Sequence, residues 1–360
     1  MSTRHRSRPR RLRGAAGAAL AVTLAGSLGL VSSVAAQPPP AVTMLSAEQA
    51  RRTGRAISTA TLTVAGQRLV TVSAAQNPGR SLSAGGDDPG DPERIRRQAM
   101  RLLDVSDDGT LALADAIEEQ DGGLSLADSS GAQLTVSLPG VAGARFAPAG
   151  GWLAVVDGTG RAWRVERETG TATSLADGPF AGILGFRRDG ALLLVALPSV
   201  EAPFTASLVE LDPGSGRVRT LDGADSVGLV LAAAELPDGA IGLVAHRPGE
   251  GVAYLRLAAG ALSEMAGLAP DAVDVSISAD GSAVAYALAD GHAFLVRPEA
   301  HTAVDLGTGA LPRVAGDGHA VAVVRDGQTA VVDEAGRELQ RVAALLVAWE
   351  PGGSCEGCGS

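Results

Sequence analysis

The sequence predicts an all-β fold, a β-propeller of seven four-stranded blades whose last blade is shared between the two ends of the chain. Three observations predict it. First, a tight turn recurs at Asp108-Gly109, Gly150-Gly151, Asp189-Gly190, Asp238-Gly239, Asp280-Gly281, Asp317-Gly318 and Gly352-Gly353, in steps of 35–49 residues. That is the spacing of one blade. Second, a short apolar run follows each of the first six turns: Leu111–Ala114, Leu153–Val156, Leu192–Val195, Ile241–Val244, Ala283–Tyr286 and Ala320–Val323. Such runs suit strands covered on both faces by neighbouring sheets. Third, only seven residues follow Gly353, too few to finish a blade, while the N-terminal part carries strand patterns with no blade of their own.

Each element of the repeat has a local reason. A third strand follows the apolar one, as at Ala162–Glu166 and Ser207–Leu211, and a turn then reverses the chain at Thr169-Gly170 and at Pro213-Gly214-Ser215-Gly216. Glycine there supplies the positive φ a tight hairpin needs. A fourth strand closes the unit, as at Val218–Leu221 and Ala303–Leu306. No sustained 3.6-residue period occurs across the repeats, which excludes long helices. Thr59–Val64 and Arg68–Ser73, with Arg80–Ser83 as a third candidate, are expected to pair with Leu345–Trp349 and close the ring. Closure removes exposed sheet edges.

The approach to each turn carries a further signature: Phe146-Ala147-Pro148-Ala149-Gly150-Gly151, Phe186-Arg187-Arg188-Asp189-Gly190, Leu236-Pro237-Asp238-Gly239, Ile277-Ser278-Ala279-Asp280-Gly281 and Trp349-Glu350-Pro351-Gly352-Gly353. Over residues 101–353 this resembles the TolB-type, WD40-like propeller repeat of exported bacterial proteins. The resemblance implies a propeller and is nearly silent on activity, because that repeat serves scaffolds, docking proteins and hydrolase accessory domains alike. No Trp-Asp dipeptide closes a blade, unlike true WD40 repeats.

The N-terminus reads as a secretory signal over residues 1–36. Six arginines between Arg4 and Arg13 precede the apolar stretch Ala15–Val31, and small residues at Ser32–Ala36 offer a cleavage site. Residues 37–57 read as an extended leader, 58–353 as the propeller and 354–360 as a flexible tail. The whole chain carries −10; without the six signal arginines, 24 basic residues face 40 acidic ones, about −16. Such a body repels nucleic acid and anionic lipid, and no stable membrane insertion is expected after cleavage. The protein is expected to be a monomer outside the cytoplasm, secreted or held at the envelope.

No nucleophile elbow, phosphate loop or paired-histidine metal motif occurs. Three sets of residues remain. The longer connections between second and third strands carry Glu118 and Glu119, then Glu201 and Phe204, then His246, Arg247 and Glu250. An aromatic amid charges has the composition of an interface centre, so these are the candidate binding residues. Asp177, Asp222, Asp225, Asp271 and Asp274 lie near the joins between blades and are weak candidates for a divalent cation such as Ca2+, if they converge; no other cofactor is expected. Cys355 and Cys358 read as a local disulfide, with redox, metal and intermolecular roles as alternatives. The expected function is a non-catalytic binding or scaffold module for a protein, peptide or envelope ligand. The alternative is a propeller hydrolase, of lactonase or glycan-active type, with carboxylates at the channel mouth.

Overall fold

The computed structural model describes residues 42–46, 48–49, 57–74, 102–106, 108–114, 123–128, 130–199, 202–225, 227–344 and 346–349. The proposed signal, the cysteine pair, the Arg80–Ser83 segment, and Glu118, Glu119 and Glu201 lie outside them. The chain divides into two units, Met1–Gln37 and Pro38–Ser360, and the second holds the propeller.

Seven antiparallel sheets form the blades. From the channel outward, blade 1 runs Leu102–Val105, Leu111–Ala114, Gly123–Ala127 and Gln133–Ser137. Blades 2 to 6 repeat this order with innermost strands Val141–Phe146, Phe180–Phe186, Leu229–Glu235, Ala272–Ile277 and Ala310–Val314. Blade 7 is the composite: Leu346–Trp349 lies innermost, then Gln67–Ala74, then Ile57–Val64. Each innermost strand touches the next, and that of blade 7 touches that of blade 1, so the ring is closed.

The second strands explain how the blades stack. Leu192–Val195, Val284–Ala287 and Ala320–Val324 are buried throughout. Alanine and valine dominate there because a strand packed on both faces has room for short side chains. Closure is sealed on both sides of blade 7. Leu69 and Val64 pack with Ala315, Ala320, Ala322 and Val331 of blade 6, while Val70 packs with Val105, Leu111 and Ala127 of blade 1. Trp349 Nε1 donates to the Arg313 carbonyl at 2.7 Å, and Gln67 Nε2 to Asp317 Oδ2 at 3.2 Å.

The recurrent turn has one chemistry. The glycine N–H bonds the carbonyl three residues earlier, as in Gly109 to Ser106 and Gly190 to Arg187, both at 2.9 Å. The preceding Asp accepts the N–H two residues on: Asp189 from Ala191 at 3.0 Å and Asp280 from Ser282 at 2.9 Å. In blade 2 the residue with the positive φ is Gly150, at 71°, and its N–H reaches Ala147 O at 2.7 Å. The repeat register there therefore runs through Gly150 rather than Gly151. Two local features extend the sequence reading. Val42–Leu45, inside the stretch read as a leader, pairs with Gln133–Ser137 as a fifth, outermost strand of blade 1. Each complete blade also has a bulge in its innermost strand, which leaves Leu103, Ala142, Ala181, Leu231 and Val273 unpaired, and one extra residue at Leu311-Pro312.

Asp108 shows how a turn carboxylate becomes a stability term. Partial burial works against its ionised form, but hydrogen bonds from Ser106 and Thr110 and the charge of Arg167 outweigh it, and its pKa falls from 3.8 to about 2. A lowered folded value means the stabilisation is complete above 3.8 and lost as the pH falls through about 2. Asp108→Asn is expected to flatten the acid loss of stability across that window, measured by denaturant titration at stepped pH. Ring closure predicts a second outcome. Leu69→Ala, at a fully buried site, should cost about 2–5 kcal/mol in urea unfolding, and deleting Ser58–Ser73 should abolish the single cooperative transition.

Candidate functional site

An antiparallel blade sends its first-to-second and third-to-fourth turns to one face of the ring. Its second-to-third connections and the joins to the next blade go to the other. The candidate loops lie on this second face. Within Pro198–Thr205, a short 3-10 turn, Pro203–Thr205, presents Phe204. Phe204 is half-buried and meets the His246 ring edge-on, with centroids 5.2 Å apart. The pair bridges blades 3 and 4. His246–Gly251, expected as a long loop, is instead a tight hairpin: the strands run to Arg247 and resume at Gly251, with His246 opposite Val252 and Arg247 opposite Gly251. Gly249 and Gly251, both at positive φ, let the chain reverse within three residues. Arg247 is committed within its own blade, to Glu250 at 2.7 Å and Glu264 at 3.3 Å.

The five aspartates do not gather. Asp177 is exposed and pairs with Arg161. Asp222 and Asp225 lie exposed between blades 3 and 4, and Asp271 exposed before blade 5. Asp274 sits on the innermost strand of blade 5, half-buried, and accepts the Leu311 N–H at 3.4 Å. Among the described residues no three His, Cys, Asp or Glu side chains converge as a metal ion requires. The physical reason is topological: the five are divided among three successive joins and the innermost strand of blade 5, and a turn Asp is drawn to its own backbone.

The site that repeat reading missed is the channel itself. The penultimate residues of the innermost strands form one layer around it: Asp104, Arg145, Gly185, Ala234, Ser276, Arg313 and Ala348, in blades 1 to 7. Their equivalence is fixed by pairing, each standing opposite the second residue of its neighbour's ladder, as Arg145 faces Ala154 and Arg313 faces Ala322. Asp104, Arg145, Ser276, Arg313 and Ala348 line a cavity of about 470 Å³. The unpaired Leu103, Leu231 and Leu311, with Leu184 at a second bulge in blade 3, line it too. Bulges re-aim side chains, and here they turn leucines inward.

Two of the polar residues in this layer cement neighbouring blades. Asp104 Oδ2 accepts the Phe146 N–H at 2.7 Å, and Ser276 Oγ accepts the Val314 N–H at 3.1 Å, each from the next blade. The arginines differ. Arg145 donates to the carbonyls of Leu103 and Ala144, and Arg313 to that of Pro312 at 3.1 Å. Burial lowers the pKa of Arg313; the nearby charge of Asp274 opposes this and that of Arg145 adds to it. The signal was legible, since both arginines stand five residues before a turn glycine, Gly150 and Gly318.

A second charged cluster ties blade 3 to blade 4. Glu210, almost fully buried, receives Arg187 and Arg219, and Arg187 also reaches Glu235 at 3.2 Å. Burial pulls the Arg187 pKa down, but the hydrogen bonds and charges of Glu210 and Glu235 prevail and raise it. Every member has an opposite partner, which marks this as a structural network.

Among the described residues no helix is long and apolar enough to cross a membrane. No protein-family model matches the sequence, and no curated protein matches it. Solved structures do. Oligogalacturonate lyase in complex with manganese aligns at 13% identity and a TM-score of 0.53 over 84% of this chain and 85% of that one. Hydrazine synthase of Kuenenia stuttgartiensis aligns at 13% identity and 0.50 over 74% and 90%. TolB from Acinetobacter baumannii aligns at 16% identity and 0.48 over 86% of each chain. At such identities the likeness is one of fold, and the fold is a seven-bladed β-propeller.

Proposed function

We propose that the protein is an exported, non-catalytic propeller that binds a protein, peptide or envelope ligand on the face carrying its second-to-third connections. The observation that carries this reading is the Phe204–His246 pair at the border of blades 3 and 4, with Arg247 next to His246 in the chain. A half-buried aromatic held by a neighbouring blade is ordered before a partner arrives, so little side-chain entropy is lost on binding. Aromatic and arginine side chains are the commonest anchors of interfaces. The channel chemistry also favours binding over hydrolysis, because Asp104 and Ser276 accept backbone N–H groups rather than standing ready for proton transfer.

Two outcomes test this. Phe204→Ala combined with Arg247→Ala should weaken capture of a partner from a native envelope fraction by about 2 kcal/mol or more, with the melting temperature unchanged. Capture indifferent to both changes, but lost on changing Arg256 and His319 on the opposite face, would place the site on the wrong side of the ring. For export, intact mass of material from the envelope or culture fluid should show a mature chain beginning at Ala36 or Gln37; a full-length cytosolic product would refute it.

A further inference from the structure

We propose that the channel cavity is a second, separate site, which binds a carboxylate carrying a compact apolar body, with the oxyanion between Arg145 and Arg313. These arginines stand three blades apart in a ring of seven and so nearly face each other across the channel. Both are half-buried, and both line the same cavity of about 470 Å³. Among the described residues neither has a carboxylate within ion-pair distance; their hydrogen bonds go to the backbone carbonyls of Leu103, Ala144 and Pro312. Contrast the Arg187 cluster, where every cation has its anion. Two like charges facing each other in a confined space are relieved by one oxyanion, and a guanidinium fork matches a carboxylate. Burial is the main cause that lowers the Arg313 pKa; Asp274 opposes it and Arg145, in smaller measure, adds to it, so the two guanidiniums sense each other across the channel.

The opposite arc of the wall says what else the ligand carries. In blade 4 the wall is formed in part by Ala232 and Ala233, whose short side chains leave space. Ile183, Leu184, Leu231 and Ile277 line the wall on this side. The charged groups Arg145, Arg313 and Asp104 thus belong to blades 1, 2 and 6, and the wall from blades 3 and 4 is apolar, in a cavity within the volume range of small-molecule pockets. Asp104, also in the lining, disfavours a dianion, so a carboxylate fits better than inorganic phosphate.

The test uses the full chain and octanoate as probe, measured by titration calorimetry, with octanol, octylammonium, acetate and inorganic phosphate as comparisons. Octanoate is expected to bind at least about tenfold tighter than each of these. Arg145→Met and Arg313→Met should each weaken it by about tenfold or more, and Arg313→Lys by less. Ala232→Leu, at a half-buried lining position, leaves both arginines in place and fills the apolar arc, and should abolish binding with the melting temperature preserved. Phe204→Ala should leave octanoate affinity unchanged, so failure of the loop-face reading and failure of this one are distinguishable. The proposal is overturned if octanoate does not bind, if it binds no tighter than octanol, if phosphate matches it, or if Ala232→Leu folds and retains wild-type affinity.

Discussion

The pairing of Gln67–Ala74 with Leu346–Trp349 is the constraint on which the rest of the molecule depends. A propeller blade buries its faces only against neighbours, so a ring left open exposes two blade faces and has no enclosed channel. Here the two ends of the chain make one sheet, and each side of it is cemented differently. Against blade 6 the contact is apolar packing plus the Trp349 and Gln67 hydrogen bonds; against blade 1 it is apolar packing through Val70 and its neighbours. The cost of bringing together segments so distant in sequence is a loop-closure entropy that grows only slowly with length, and the buried area on both sides offsets it.

Closure also creates the chemistry of the channel. No single blade has a site there, because each contributes one residue to the inner layer. Only the ring places Arg145 of blade 2 opposite Arg313 of blade 6, with the small Ala232 and Ala233 of blade 4 in the same wall. The bulges serve the same end. A regular innermost strand would send alternate side chains only toward the neighbouring blades. The extra residue turns Leu103, Leu184, Leu231 and Leu311 toward the axis, at the expense of ladder hydrogen bonds. Leu311 holds a φ of 52° in doing so, an unfavourable conformation for a residue with a Cβ.

The molecule separates its charges into those that hold it together and those that do not. Asp108, Asp189 and Asp280 cap turns; Glu210 and Glu235 bind Arg187 between blades; Asp104 and Ser276 stitch inner strands. Arg145 and Arg313 are the exceptions in the channel, and Phe204 with His246 is the exception on the loop face. A surface where most polar groups are locally satisfied makes such exceptions informative.

Much of the architecture was written in the chain. Turn glycines, apolar second strands and the surplus N-terminal strands determine blade number and the composite closure, because these are local requirements of φ and of two-sided burial. The binding residues were only partly legible. Phe204 and His246 could be named, but not that they would meet edge-on across two blades, nor that the hairpin after His246 would be tight and leave Arg247 tied to its own blade. The aspartates near the joins look alike in sequence, but they are divided among three successive joins and one inner strand, and the ring does not bring them to one point. The channel layer was present in the spacing of Arg145 and Arg313 from their turn glycines, yet that spacing says nothing of what stands opposite. Which side chains face each other across an axis is a property of seven-fold closure, and only the tertiary structure decides it.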